Sequence, residues 1–204
     1  MEMEYGTIMW NNKSKRGLIS IFAGRFDVPH IGHLKTYNNA KEKFGHCYIA
    51  VSKTETCLTV DEKVFLLEKL GVDKKDIVPV NVPYKPNEIL DHYDDTKTTC
   101  IYVIGNKDFG RIDVENKKDG TAKYFQNYDE NIELNSIDKH SYIYYSPTFN
   151  FKINGKTIKS STQLKAFFKI YTEQKTKNIL NELYNDETDR IYSILKERLL
   201  NGKK

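Results

Sequence analysis

The chain has 204 residues, 39% hydrophobic and 29% charged, with a net charge of +4. That length accommodates one α/β domain with a C-terminal helical extension, and no apolar run approaches the roughly 18 residues of a membrane span. The mild positive charge is scattered, and Lys203-Lys204 is too short for a nucleic-acid arm, so neither membrane nor nucleic acid is an expected partner. The segment Met1-Glu2-Met3-Glu4-Tyr5 lacks the apolar core of a secretion signal. Cys47, Cys57 and Cys100 have no CxxC spacing and read as reduced thiols, Cys47 and Cys100 in the core, which leads us to expect a cytoplasmic location.

In chain order, residues 1–17 are a polar lead-in interrupted by Ile8, Met9 and Trp10. The apolar run 18–22 predicts a buried strand, 31–44 a helix, and 48–52 a second strand. Thr59-Val60-Asp61-Glu62 has capping-box spacing, and Val60, Val64, Leu67 and Leu70 keep helical spacing until Gly71. A third strand is expected at 77–82, a short helix at 86–93 with proline in its first turn, and a fourth strand at 100–104. The polar stretch 106–140, with a turn at Asp119-Gly120, reads as an insertion or lid. Runs 142–145 and 149–153 are strand-like, Asn154-Gly155 signals a hairpin turn, and a helix is expected from 161 to about 171. The last helix, 189–200, places Ile191, Ile194, Leu195 and Leu199 on one face, for packing or for an oligomer contact. Apolar strands alternating with helices predict an α/β, Rossmann-like parallel sheet covered on both faces. Its core would span 18–160, with 161–204 as a helical segment of the same domain.

Ligands of such sheets bind beyond the carboxyl ends of the strands. That rule gathers Gly24, Ser52-Lys53, the loop Val82-Pro83-Tyr84 and Gly105-Asn106 around one crevice. The most informative segment lies there: Gly24-Arg25-Phe26-Asp27-Val28-Pro29-His30-Ile31-Gly32-His33. A strand that turns through glycine into a helix presents backbone N–H groups at the positive end of the helix dipole, which suits phosphate. His30 and His33, three residues apart, share one face of the first turn and can both donate to one polyphosphate. Ser160-Ser161-Thr162 gathers hydroxyls at another predicted helix start, either a second anion cradle or a plain N-cap.

His30-Ile31-Gly32-His33, after a strand and a glycine turn, resembles the HxGH signature of the nucleotidyltransferases. With Gly24-Arg25-Phe26-Asp27 and Pro29 it is most similar to the form found in nicotinamide-nucleotide adenylyltransferases. Ser160-Ser161-Thr162 with Lys165 resembles the ISSTxxR motif of that family, with lysine where arginine is usual; lysine keeps the charge and loses the bidentate fork. Leu58-Thr59 with Glu62-Lys63, the run from Asn81 to Pro86, and Lys107-Asp108 with Arg111 resemble a cytidylyltransferase-like group common in large phages and viruses. The resemblance covers about 18–170. It implies transfer of a nucleoside monophosphate from a nucleoside triphosphate to a phosphorylated acceptor, with release of pyrophosphate. ATP with nicotinamide mononucleotide is the first expectation, CTP with a phosphorylated alcohol or sugar the second, a phosphopantetheine acceptor the third.

The resemblance also implies roles. His30 and His33, with Gly32 between them, would contact the phosphates, His33 nearest the α-phosphorus. Gly24 and Arg25 would offer N–H groups, and Phe26 would wall the pocket. Ser160, Ser161 and Thr162 would hold the β- and γ-phosphates, and Mg²⁺ would bridge phosphate oxygens while keeping mostly water ligands. Gly105 and Asp108 lie where related enzymes set a loop against ribose or base. Arg111 reaches a phosphate or forms a loop salt bridge. Lys53 neutralises acceptor phosphate or is an ordinary surface lysine. Asp27 orients the turn or the ribose, or caps the helix. His46, His92 and His140 lack metal-like spacing.

Two other classes fit parts of the pattern. His30-Ile31-Gly32-His33 also spells the HIGH motif of class I aminoacyl-tRNA synthetases, although 204 residues leave little room to recognise tRNA. A catalytically silent nucleotide-binding protein is the other, supported by Lys165 and the loop at Lys107.

Overall fold

The computed structural model describes residues 17–105, 108–110, 112–114, 116–153, 155–158, 161–184 and 186–201. Most of the expected lead-in, together with Asn106, Lys107, Arg111, Asn154 and Ser160, lies outside the described residues.

Six strands form one parallel sheet: β1 (Gly17–Gly24), β2 (Cys47–Ser52), β3 (Ile77–Val80), β4 (Thr98–Gly105), β5 (Phe125–Asn127) and β6 (Ser141–Ser146), in the order β3-β2-β1-β4-β6-β5. The central strands are apolar without alternation because both faces are covered; β2 is buried at every position. Helices α1 (Ile31–Phe44) and α2 (Val60–Leu70) cover one face, packing Tyr37, Ala40, Val64 and Leu67 over Phe22, Ile49, Val51 and Val103. The short α3 (Asn87–Leu90) covers part of the other, with Ile89 over Val78, Val80 and Tyr102. The capping box of α2 forms as expected, Thr59 accepting from the Glu62 N–H and Glu62 from the Thr59 N–H. Cys47 and Cys100 are fully buried, and burial pushes the Cys47 thiol up to about 12.

Three expectations are corrected. β3 ends at Val80 rather than 82, because the Asn81 N–H donates to the Glu88 carboxylate at 2.8 Å instead of continuing the sheet. The helix expected at 86–93 is only Asn87–Leu90. Within the polar stretch 106–140, β5 pairs in parallel with β6, so this part widens the sheet rather than forming a lid.

Past the sheet, β7 (Phe151–Ile153) and β8 (Lys156–Ile158) form the antiparallel hairpin expected there, with Gly155 at φ +73°. Three helices follow: α4 (Ser161–Ile170), α5 (Glu173–Tyr184) and α6 (Thr188–Lys196), the last running into a π turn at Glu197–Asn201. They bury Leu164, Ile179, Leu180, Leu183, Ile191 and Leu195 against Leu66 and Leu70 of α2 and Phe151 of β7. Each such side chain contributes about 1.5–3 kcal/mol, which fixes this helical layer to the sheet domain. Among the described residues no helix is long and apolar enough to cross a membrane.

Candidate active site

The chain runs from β1 outward to β2 and β3, then returns to place β4 on the other side of β1. The carboxyl ends of β1 and β4 therefore part at a switch point, where α/β sheets bind ligands. A cavity of about 320 Å³ opens there. It is lined by Gly24, Arg25, Phe26 and Asp27 after β1, by His30, Gly32 and His33 of α1, and by Gly105 and Asp108 after β4. Ser161, Thr162 and Lys165 reach it from α4. The structure thus brings these sequence-predicted residues to one place. Ser160 and Arg111 fall outside the described residues.

The turn after β1 is shaped by two residues. Phe26 is buried with φ +51°, a left-handed conformation costing about 1–2 kcal/mol for an L-residue. Its ring meets those of Phe22 and His33 edge-on, at 5.2 and 5.3 Å between centroids. A Cβ on Gly24 would lie 3.1 Å from that ring, so glycine at this position lets Phe26 fold back as the pocket wall.

The histidines cap their own helix. His30 is the N-cap of α1, and its Nδ1 accepts the Gly32 N–H at 3.1 Å. The His33 Nδ1 accepts the His30 N–H at 3.1 Å, completing a reciprocal capping box made of two imidazoles. A neutral ring whose Nδ1 accepts carries its proton on Nε2, so the hydrogen bonds set both histidines as Nε2–H donors. The rings stack at 3.9 Å between centroids. A Cβ on Gly32 would fall 2.9 Å from His30 Cε1, so the glycine between the histidines makes room for the capping ring. Of the readings of Asp27, helix capping is excluded because His30 is the cap. The Asp27 carboxylate instead accepts the Thr56 hydroxyl, and its carbonyl accepts the Cys57 thiol at 3.3 Å.

The start of α4 is tied to the same loop. The Ser161 hydroxyl donates to the Val28 carbonyl at 2.9 Å, and the Tyr184 hydroxyl, at the end of α5, donates to the Pro29 carbonyl at 2.6 Å. The hydroxyl proton of Ser161 therefore holds the loop rather than pointing at a ligand, while Thr162 and Lys165 remain on the cavity wall.

Lys53 is not brought to the cavity. It is exposed and pairs with Glu88 at 3.4 Å, which favours the surface-lysine reading. The sequence reading missed Lys63 as a site element. This fully buried lysine of α2 donates to the carbonyls of Thr54 at 2.8 Å and Ser52 at 3.3 Å, pinning the loop that braces Asp27. Burial lowers its pKa, opposed by the charge of Asp27. In the sequence Lys63 stands in the stretch Leu58-Thr59 with Glu62-Lys63 that carries the cytidylyltransferase-like resemblance, but nothing there gives it a role or shows that it is buried. Among the described residues, Asp27 and Asp108 are the carboxylates lining the cavity, and no three His, Cys, Asp or Glu side chains converge as a metal cluster.

A doubly covered parallel sheet with a polar switch-point cavity and a helix start beside it defines a Rossmann-like α/β domain. Residues 21–179 match the cytidylyltransferase-like family, and the chain belongs to it. A comparison with curated protein sequences gives no match. Among solved structures, the chain is similar to Plasmodium falciparum nicotinic acid mononucleotide adenylyltransferase. The complex with NaAD gives a TM-score of 0.48 and the complex with APC 0.49; each is 13% identical, with 92% of this chain and 98% of that chain covered.

Proposed function

We propose that the protein is a nucleotidyltransferase that moves a nucleoside monophosphate, AMP first, from the triphosphate to a phosphorylated acceptor such as nicotinamide mononucleotide. The observation that carries this reading is the imidazole capping box. It holds two Nε2–H donors at a helix N-terminus, in a cavity that Lys165 also lines. In the reaction, an acceptor phosphate oxygen attacks the α-phosphorus in line. The bond from that phosphorus to the α,β-bridging oxygen breaks, and pyrophosphate leaves with the electron pair. The acceptor phosphate is already nucleophilic, so the protein's part is positioning and neutralising charge that develops in the transition state. The His33 and His30 Nε2–H groups and Lys165 supply the neutralisation; Arg25 and Thr162 frame the phosphates. Asp27 and Asp108 suit a divalent cation such as Mg²⁺ that is carried mainly by nucleotide phosphates, since such a cation needs only one or two protein carboxylates.

The test is pyrophosphate release with Mg²⁺ and each of ATP, CTP, GTP and UTP against nicotinamide mononucleotide, phosphocholine, phosphopantetheine and glycerol 3-phosphate. Release that needs ATP and nicotinamide mononucleotide together is the expected result. The family match favours CTP as the second reading, and release that needs CTP with a phosphorylated alcohol would establish it instead. Nucleotide binding without release from any pair would overturn the transferase reading.

A further inference from the structure

The loop that joins β2 to α2 passes beside the turn after β1, and its residues Lys53, Thr54, Glu55 and Thr56 are all exposed. Exposed loops are ordinarily the mobile parts of a domain. This one is held from beneath. The Lys53 N–H donates to the Val80 carbonyl at 2.8 Å, and the Thr54 N–H to the Ser52 hydroxyl at 3.2 Å. The fully buried Lys63 then grips the same stretch through the carbonyls of Ser52 and Thr54. At its far end the loop turns its polar atoms onto a single residue. The Thr56 hydroxyl donates to the Asp27 carboxylate, and the Cys57 thiol donates to the Asp27 carbonyl. A continuous path therefore runs from the middle of α2 to a carboxylate on the cavity wall.

The fold by itself gains little from an ammonium at this place. Burying a cation is costly unless an anion meets it. Asp27 and Glu55 favour the charge of Lys63 only through space, and Arg25 opposes it. Methionine would fill the same narrow space without that cost. What methionine lacks is the pair of hydrogen bonds to the loop. Without them the Thr54 carbonyl, at an exposed residue, can turn to water and the loop can leave Asp27. The carboxylate then regains its side-chain freedom, and a productive orientation becomes rarer. We propose that Lys63 is a positioning residue: by holding the β2–α2 loop it fixes the Asp27 carboxylate toward the divalent cation that a nucleoside triphosphate carries. The inference rests on the transfer reaction proposed above. Lys63 itself lies behind the cavity wall and touches no substrate.

Two variants of the full chain break the path at its two ends. Lys63→Met removes the grip from beneath. Thr56→Val removes the hydroxyl at Asp27 from an exposed position, so it carries the test if Lys63→Met does not fold. The first readout is calorimetric titration with ATP or CTP, whichever the parent binds more tightly, with and without Mg²⁺ and with no acceptor present. Mg²⁺ should tighten binding to the parent. Each variant should weaken binding of the Mg²⁺ complex about tenfold and leave binding without Mg²⁺ near the parent, as expected for a residue that orients a cation ligand. The second readout is pyrophosphate release across a Mg²⁺ series, where the half-saturating Mg²⁺ concentration should rise by about the same factor. In an Asp27→Asn background neither substitution should change either quantity by more than about twofold, because the effect passes through that carboxylate. A merely structural lysine would lower the melting temperature and leave the Mg²⁺ dependence alone. A parental Mg²⁺ dependence in Lys63→Met, or in Thr56→Val if Lys63→Met does not fold, overturns the proposal and leaves the transferase reading standing. So does an equal loss in the Asp27→Asn background, or a parent whose nucleotide binding ignores Mg²⁺. Weakened binding of the Mg²⁺ complex in the variants, with no pyrophosphate release from any pair in the parent, does the reverse: Lys63 still positions Asp27, and the transfer reaction falls.

Discussion

His33 caps α1 and, in the transfer reaction proposed above, also donates to phosphate; substitution can separate the two. Its Nδ1 caps α1 by accepting the His30 N–H, and the same hydrogen bond leaves the proton on Nε2 to face the cavity. Asparagine presents an oxygen near the Nδ1 position and nothing at Nε2. His33→Asn should therefore keep stability within about 0.5 kcal/mol, whereas His33→Ala should lose about 1 kcal/mol with the cap. Both should slow pyrophosphate release by roughly 10²–10³. Denaturant titration beside a rate measurement separates the two effects; a parental rate in His33→Asn would remove the donor role. Gly32 gives a second test with an unusual sign. Glycine-to-alanine inside a helix ordinarily stabilises by about 0.5–1 kcal/mol. Here the new Cβ would lie 2.9 Å from the His30 ring and push it off the cap. Gly32→Ala should then show no gain in stability and a lower transfer rate, and a raised melting temperature would show that the His30 ring is free to move.

Helix α1 carries the capping box at one end and a buried ionic network near the other. Asp76 is fully buried and accepts from the Tyr37 hydroxyl at 2.5 Å and from Lys41 at 3.0 Å. His46 Nε2 faces the other oxygen of Asp76 at 3.7 Å. Burial lowers the pKa of His46; Asp76 opposes this, while Lys41 and Lys75 add to it. The unfolded chain therefore binds the proton more readily than the folded one. Stability is complete above the ordinary histidine value of about 6.5 and falls as pH drops below it. The melting temperature should be level from about pH 8 to 7 and decline toward pH 5, and His46→Gln should flatten that decline. An unchanged slope in the variant would assign the effect elsewhere. Elements of this kind differ in how legible they are. The central strands could be read because burial on both faces demands unbroken apolar runs. Helix α2 could be read from its capping box and closing glycine. Helix α5 could not: its first half, from Glu173 to Asn178, is polar throughout, and its apolar residues crowd into Ile179, Leu180, Leu183 and Tyr184. β5 escaped for a related reason, since three residues at a sheet edge carry no period of their own. At the site, the motif residues were legible because glycine and histidine are needed there for local geometry. The left-handed Phe26 and the buried Lys63 were not, because each depends on partners distant in sequence.

At the scale of the whole molecule, the C-terminal helices belong to the switch-point cavity although little of them faces it. Ser161 and Tyr184 hold the carbonyls of Val28 and Pro29, the two residues immediately before the capping histidine. The helical layer thereby fixes where α1 begins relative to β1, and with it the direction of both imidazoles. Tyr184 is 1% exposed, and phenylalanine would fill the same space, so Tyr184→Phe removes one hydrogen bond and leaves the Pro29 carbonyl buried without it. The expected cost is about 1–3 kcal/mol. Loss of stability alone would not show a connection to the site, so a control is needed. Leu195→Val trims the same helical layer at a fully buried position that packs in one cluster with Val28 but makes no hydrogen bond to the loop, at a comparable cost of about 1 kcal/mol. Assayed well below both melting temperatures, Tyr184→Phe should raise KM for the nucleoside triphosphate and lower kcat, while Leu195→Val should leave both near the parent. If the two variants lose activity in proportion to stability alone, the latch is only structural. If Tyr184→Phe stands apart, the helices after residue 160 act on catalysis through two backbone carbonyls that touch no substrate.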